Sequence, residues 1–294
     1  MQLKRYFIIF SLLLPTSHLA FADGHYPDGA EGIKGATLPP PGVYTKWYNM
    51  YYTSDTVKDQ NGDNSNVSQN LDTFATVPRF IWISNQKIMG GDYGINVAVP
   101  FVNVHLKTQD INQSKFNLSD ILLEQVLGWH LDQWDFSAAT GVWFPVGNFN
   151  PSEAVNIGKG FWTGMFTAGA THYFDKEKTW HFSALSRYQT NSRKSGIDIR
   201  PGGDFLVEWG LGKTLAQNWN IGISSYTHWQ VTSDTGSAVN YDASAHASYY
   251  AIGPEISYFY QPAQTSFEFR YQKEFAAVNY TEGHKLTFSF VVIF

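Results

Sequence analysis

The chain ends K-L-T-F-S-F-V-V-I-F, Lys285–Phe294. Leu286, Phe288, Phe290, Val292 and Phe294 fall on one face of an extended strand, and Thr287 and Ser289 begin the other. Side chains that alternate with period two mark a strand with two unlike environments. Nothing follows Phe294 in the sequence, so the partners of this strand are expected upstream.

The other end reads as a cleaved secretory signal peptide, Met1–Ala22. Lys4 and Arg5 supply its charge, Tyr6–Leu14 its apolar stretch and Ala20-Phe21-Ala22 an A-x-A cleavage site. A membrane anchor would need roughly 20 apolar residues, and Pro15, Thr16, Ser17 and His18 cut this run short. With no cysteine in the chain, neither a lipid attachment site nor a disulfide framework is available. Removing Lys4 and Arg5 takes two from the 20 Lys+Arg, against 25 Asp+Glu. That mild acidity argues against a nucleic-acid surface. Charged residues are 15% of the chain, well under the roughly 25% of soluble domains, whereas aromatics reach 17%. No apolar run after residue 22 has the length of a membrane helix. Few charges, many aromatics and no long apolar run fit a transmembrane β-barrel, with a secreted β-sandwich as the alternative.

Residues 23–42 form a Gly/Pro-rich segment, in which Pro27 and Pro39–Pro41 exclude a helix or a central strand. Residues 43–294 then divide into strands near 43–54, 69–84, 93–106, 119–130, 135–146, 160–173, 179–190, 203–214, 219–232, 248–260, 265–275 and 285–294. Long polar connections at 55–68, 107–118, 147–159, 191–202 and 233–247, with a shorter one at 276–284, alternate with short ones. Outer-membrane barrels pair short periplasmic turns with longer extracellular loops. The prediction is therefore an all-β, twelve-stranded antiparallel transmembrane barrel with both chain ends at the periplasm.

The faces separate on several strands. Phe267, Phe269 and Tyr271 oppose Glu268, Arg270, Gln272 and Glu274; Phe205, Val207, Trp209 and Leu211 oppose Glu208. Trp180, Phe182 and Ala184 oppose His181, Ser183 and Arg187, and Phe74, Phe80 and Trp82 oppose Arg79. A charge facing lipid costs about 2–4 kcal/mol at the bilayer midplane, so these charges belong in the lumen. Trp82, Trp180, Trp219 and Tyr258 suit an aromatic girdle near the turns.

Eight strands leave an interior that side chains can fill, and sixteen leave an aqueous channel. A barrel of twelve has room for something more. The segment 23–42 could extend about 66 Å at roughly 3.3 Å per residue, enough to cross the lumen and narrow it as a plug. The alternative is a disordered periplasmic tail.

Two resemblances bear on this reading. A terminal strand with alternate aromatics and a final phenylalanine resembles the assembly signal of bacterial outer-membrane barrels, which assigns Phe294 to recognition by the barrel-assembly machinery. G-H-Y-P-D-G-A-E-G (24–32) followed by L-P-P-P-G-V-Y (38–44) resembles the start of the MetA-pathway of phenol degradation family of outer-membrane proteins. V-P-R-F (77–80), G-G-D-Y-G-I-N-V-A-V-P-F-V (90–102), L-G-W-H (127–130), N-I-G-K-G-F-W-T (156–163), A-I-G-P (251–254) and Y-Q-K-E-F (271–275) continue it in order. The resemblance implies a twelve-stranded channel associated with aromatic-compound catabolism, whose N-terminal segment enters the barrel.

Candidate lumen and plug residues are His25, Tyr26, Asp28 and Glu31 on the segment. On the wall they are Lys46, Arg79, Arg187 and Arg270, with Glu124, Glu208, Glu255, Glu268 and Glu274. These charges could line a conduit, or pair with one another and brace the interior, since an unpaired buried charge is costly. Arg79 with Asp28 or Glu31 is the first pair to test. Tyr44, Tyr48, Tyr226 and His228 occupy lumen positions that could line a path for an aromatic solute or pack against the segment. D-Q-N-G-D-N-S-N (59–66) spaces oxygen ligands as calcium loops do but lacks the distal Glu. The histidines show neither H-E-x-x-H nor H-x-x-E-H spacing, so no metal or other cofactor is expected. An outer-membrane hydrolase is the enzyme alternative. It lacks G-x-S-x-G, and His181 and His228 point inward in this register.

The expected product is a monomeric outer-membrane channel in contact with outer-membrane lipid and lipopolysaccharide. It would pass small hydrophobic or aromatic solutes towards the periplasm without chemistry. A closed structural or binding barrel acting through its extracellular loops is the second reading.

Overall fold

A computed structural model describes residues 24–294; the signal peptide read at Met1–Ala22 and Asp23 lie outside the described residues. The wall starts with β1 (Gly42–Val57), β2 (Asn70–Ile88), β3 (Gly91–Ala98), β4 (Phe101–Lys107), β5 (Asn112–Leu118), β6 (Ile121–His130) and β7 (Trp134–Phe144). It continues through β8 (Thr163–Tyr173), β9 (Trp180–Asn191), β10 (Asp204–Leu215), β11 (Trp219–Gln230), β12 (Ser248–Tyr260), β13 (Thr265–Val278) and β14 (Thr281–Ile293). All lie in one antiparallel sheet, and β1 pairs with both β14 and β2, so the sheet is closed. Closure satisfies backbone groups that lipid cannot.

The fourteen segments make twelve wall strands. β3 and β4 pair in one continuous register with β2, Arg79 opposite Ala98 and Thr76 opposite Phe101. The ladder breaks between them at Pro100, which has no N–H to give. β5 and β6 form the next wall strand. Its register slips by one residue across Ser119-Asp120, because Phe101 faces Leu118 whereas Ala98 faces Leu122. The Ser119 N–H bonds the Pro100 carbonyl at 2.8 Å and spans the two interruptions.

Two expected loops prove to be strand. Residues 107–118 form a hairpin in which only 108–111 lie outside β4 and β5, and residues 276–284 reduce to the turn 279–280. The connections on that side are therefore unequal, with 58–69, 145–162, 192–203 and 231–247 long and the other two short. The opposite side has only short ones: 89–90, 131–133, 174–179, 216–218 and 261–264. By the rule of short periplasmic turns this opposite side is the inner one.

Side-chain alternation holds around the wall. Phe80, Phe182, Phe205, Phe269 and Phe288 are exposed on the outside, while Glu124, Arg187, Glu208, Glu255, Arg270 and Glu274 are buried inside. Trp82, Trp180 and Trp219 are also on the outer surface.

The candidate functional site in the barrel lumen

Residues 24–41 lie inside the barrel, and the wall is shaped to admit them. Gly210 on β10 faces inward where a Cβ would come within 2.4 Å of the Ile33 Cα. Gly169 and Gly128 meet Ala36 and Leu38 in the same way. A glycine inside a strand commonly marks close approach of another backbone. Gly24 sits beside Asp204 and Gln189 at the outer end of the wall, and Tyr44 Oη donates to the Pro40 carbonyl at 2.6 Å beside the inner start of β1. The segment thus descends from the outer end to the inner rim. Two inner chain ends were expected; Phe294 is at the inner end, but the first described residue is at the outer one.

At the top, His25 Nε2 lies 2.8 Å from Asp120 Oδ2 and Nδ1 2.8 Å from Thr163 Oγ1. Its ring stacks on Trp143 and meets the edge of Phe161. Gln189 Oε1 accepts the His25 N–H at 3.0 Å and the Tyr26 N–H at 3.2 Å. Asp120 also accepts the N–H groups of Gly147 and Lys159, each at 2.8 Å. Burial works to raise the Asp120 carboxyl, but His25 and the two backbone donors outweigh it and hold the carboxyl below its ordinary range.

Below this, Tyr26 Oη donates to Glu208 Oε2 at 2.9 Å. The Arg187 guanidinium lies 3.8 Å from the Tyr26 ring centroid and pairs with the same carboxylate. Asp28 pairs with His228 Nδ1 at 2.9 Å and accepts from Tyr249 Oη, and His228 Nε2 is 3.3 Å from Asp204. Arg270 Nε pairs with Glu255 at 2.7 Å, and its Nη1 donates to the Gly29 carbonyl. Glu255 accepts the Ile33 N–H at 3.1 Å, and Glu274 accepts from Tyr52 and Tyr226, both at 2.8 Å.

Arg79 is the most connected cation. Nη1 donates to Glu31 Oε1 at 2.7 Å and to Tyr48 Oη at 3.0 Å, Nη2 to Glu124 at 2.9 Å, and Nε to Asn96 at 2.9 Å. Lys46 pairs with Glu268 at 3.0 Å and stands 3.7 Å from Glu31. Asp28 lies apart from Arg79, in the His228 cluster. Sequence reasoning missed Asp120, Gln189 and Tyr249, which hold the segment as directly as the charged candidates do, and Asp204, which backs His228 from the wall. The inward glycines were the available signal.

Two cavities flank the segment. The outer one, about 500 Å³, is walled by Leu71, Val77, Val102, Val104, Leu122 and Trp143 among others. The inner one, about 460 Å³, is lined by Lys34, Lys46, Glu124, Glu255 and Glu268 among others. Among the described residues, only Glu31, Tyr48 and Arg79 line both. No group of three or more His, Cys, Asp or Glu is placed to hold a metal among the described residues. In the loop 59–66, Asp59 Oδ1 accepts the N–H groups of Asn61 and Asp63, so its carboxylate closes a turn.

The architecture matches known barrels. An outer-membrane channel from Pseudomonas putida F1 superposes with a TM-score of 0.79 at 14% identity, over 88% of this chain and 97% of that one. The β domain of the Bordetella autotransporter BrkA gives 0.53 at 7% identity, over 86% and 100%. At these identities the likeness shows the fold, that of bacterial outer-membrane barrels. Among curated protein sequences none matches the chain. A family profile covers residues 54–290, most of the wall, and by that match the chain belongs to the MetA-pathway of phenol degradation family.

Proposed function

We propose that the protein is an outer-membrane channel for small hydrophobic or aromatic molecules, and that residues 24–41 are the plug that controls it. The observation that carries this reading is the pair of cavities meeting at Glu31, Tyr48 and Arg79 inside a closed barrel. An apolar outer vestibule favours capture of apolar solutes, and the charged side chains that stand among the apolar ones of the inner chamber, Lys46, Glu124, Glu255 and Glu268 among them, favour their release into water. The lipopolysaccharide leaflet resists apolar solutes, so a protein path past it has a physical purpose. The chain inserts as a monomer, with Phe294 read by the barrel-assembly machinery, and it needs no cofactor or chemical step.

The barrier at Arg79 also favours a second reading, a closed structural or binding barrel. Uptake of an aromatic panel into proteoliposomes separates the two. Full-length protein should pass selected solutes, and a variant lacking residues 23–35 should pass them faster and less selectively. Equal, undetectable uptake by both would leave only the structural reading.

A further inference from the structure

The outer cavity ends at a carboxylate that belongs to the protein itself. Glu31 Oε1 receives two donors at once, Arg79 Nη1 at 2.7 Å and Tyr48 Oη at 3.2 Å. Both donors are mounted on the wall, Tyr48 on β1 and Arg79 on β2, whereas the acceptor is on the segment. Arg79 is fixed independently of Glu31, because Nη2 holds Glu124 and Nε holds Asn96. With Glu31 withdrawn, a guanidinium N–H and a phenol O–H would still converge on one point at the cavity floor. That donor pair suits a carboxylate.

The electrostatics of the cavity agree. Among the described residues that line it with a formal charge, Glu31 is the only acid, against Arg79, Lys159 and Lys194. The walls between mouth and floor are apolar, and the volume falls within the roughly 300–1,000 Å³ of small-molecule sites. Glu31 also has a second cation within reach, since its other oxygen is 3.7 Å from Lys46 Nζ. Lys46 lines the inner cavity and not the outer one. A Glu31 carboxylate that leaves Arg79 for Lys46 stays paired, so the exchange avoids a bare buried charge.

We infer that Arg79 and Tyr48 form a binding site for the carboxylate of an apolar or aromatic acid, which Glu31 fills in the closed channel and which the solute must take from it. The segment's own carboxylate acts as an internal competitor. The apolar body of the solute occupies the outer cavity, and its arrival at Arg79 frees the one segment side chain that seals the boundary between the cavities. This inference rests on the passage reading above and narrows it to anions.

Calorimetric binding to folded full-length protein, with 4-ethylbenzoate and its neutral counterpart 4-ethylbenzamide as probes, tests it. Proteoliposome entry of the same two compounds is measured in parallel. The benzoate should bind at least tenfold more tightly than the amide. Glu31→Gln should tighten benzoate binding threefold or more by weakening the competitor, and Tyr48→Phe should weaken it by a similar factor, with amide binding unmoved in both. Tyr48→Phe keeps every charge, and heat-modified gel mobility verifies that each variant is folded. Equal binding and entry of the two probes, or no gain in Glu31→Gln, would overturn the carboxylate site and leave the passage reading standing. Failure of both probes to bind or enter would overturn both.

Discussion

Arg187 shows how the lumen uses its charges. It pairs with Glu208 and covers the Tyr26 ring, while Glu208 also accepts the Glu31 N–H at 3.2 Å. Removing one partner of a buried pair strands the other, at a cost of about 3–5 kcal/mol. Arg187→Ala should therefore lower the temperature at which the barrel loses its compact gel mobility and should expose residues 24–41 to protease. The surface variant Lys176→Ala should change neither. Asp120 gives a pH dependence with a fixed sign. Its carboxyl is held below the ordinary range when folded, so its stabilising share is complete above the unfolded value near 3.9. That share fades as the pH falls through the lower folded value. Proteolysis of the segment should accelerate in that acid window, whereas Asp120→Asn should already be accessible at neutral pH.

At the scale of elements, the wall was legible where its two faces differ. In β13, Phe267 and Phe269 against Arg270 and Glu274 announce a strand with lipid on one side and a polar lumen on the other. The signal fails in β5, N-Q-S-K-F-N-L, where both faces are mostly polar and exposed. There the hairpin of β4 and β5 extends past the stretch with one apolar face, and a strand without alternation reads as a loop. The path of residues 24–41 was illegible for a related reason. The segment has no period of its own, and its contacts are set by inward glycines on strands far away in sequence. Gly210 is the sharpest instance. Gly210→Val should leave the barrel folded but displace Ile33, and single-channel conductance in planar bilayers should rise.

For the whole molecule, closure is the governing fact. β1 joins β14 from Tyr44 opposite Ile293 to Val57 opposite Thr281, and the Phe294 N–H bonds the Val43 carbonyl at 3.0 Å. Phe294 itself is largely exposed at the rim, so deleting it should lower insertion into the outer membrane more than it lowers the melting temperature of protein refolded in detergent. Radiolabelled assembly into outer-membrane vesicles beside thermal scans separates the two effects. The direction of the segment has a consequence for the order of events. It starts at the outer end, runs down the interior and turns at the inner rim directly into β1, the strand that seals the seam. A wall sealed first would oblige the leading end of the chain to thread upward through a finished tube, past Arg79 and Arg187, against their pairing with Glu124 and Glu208. The low-barrier course is for the contents to be laid down before the container is shut, so that β1 meets β14 around an interior already occupied.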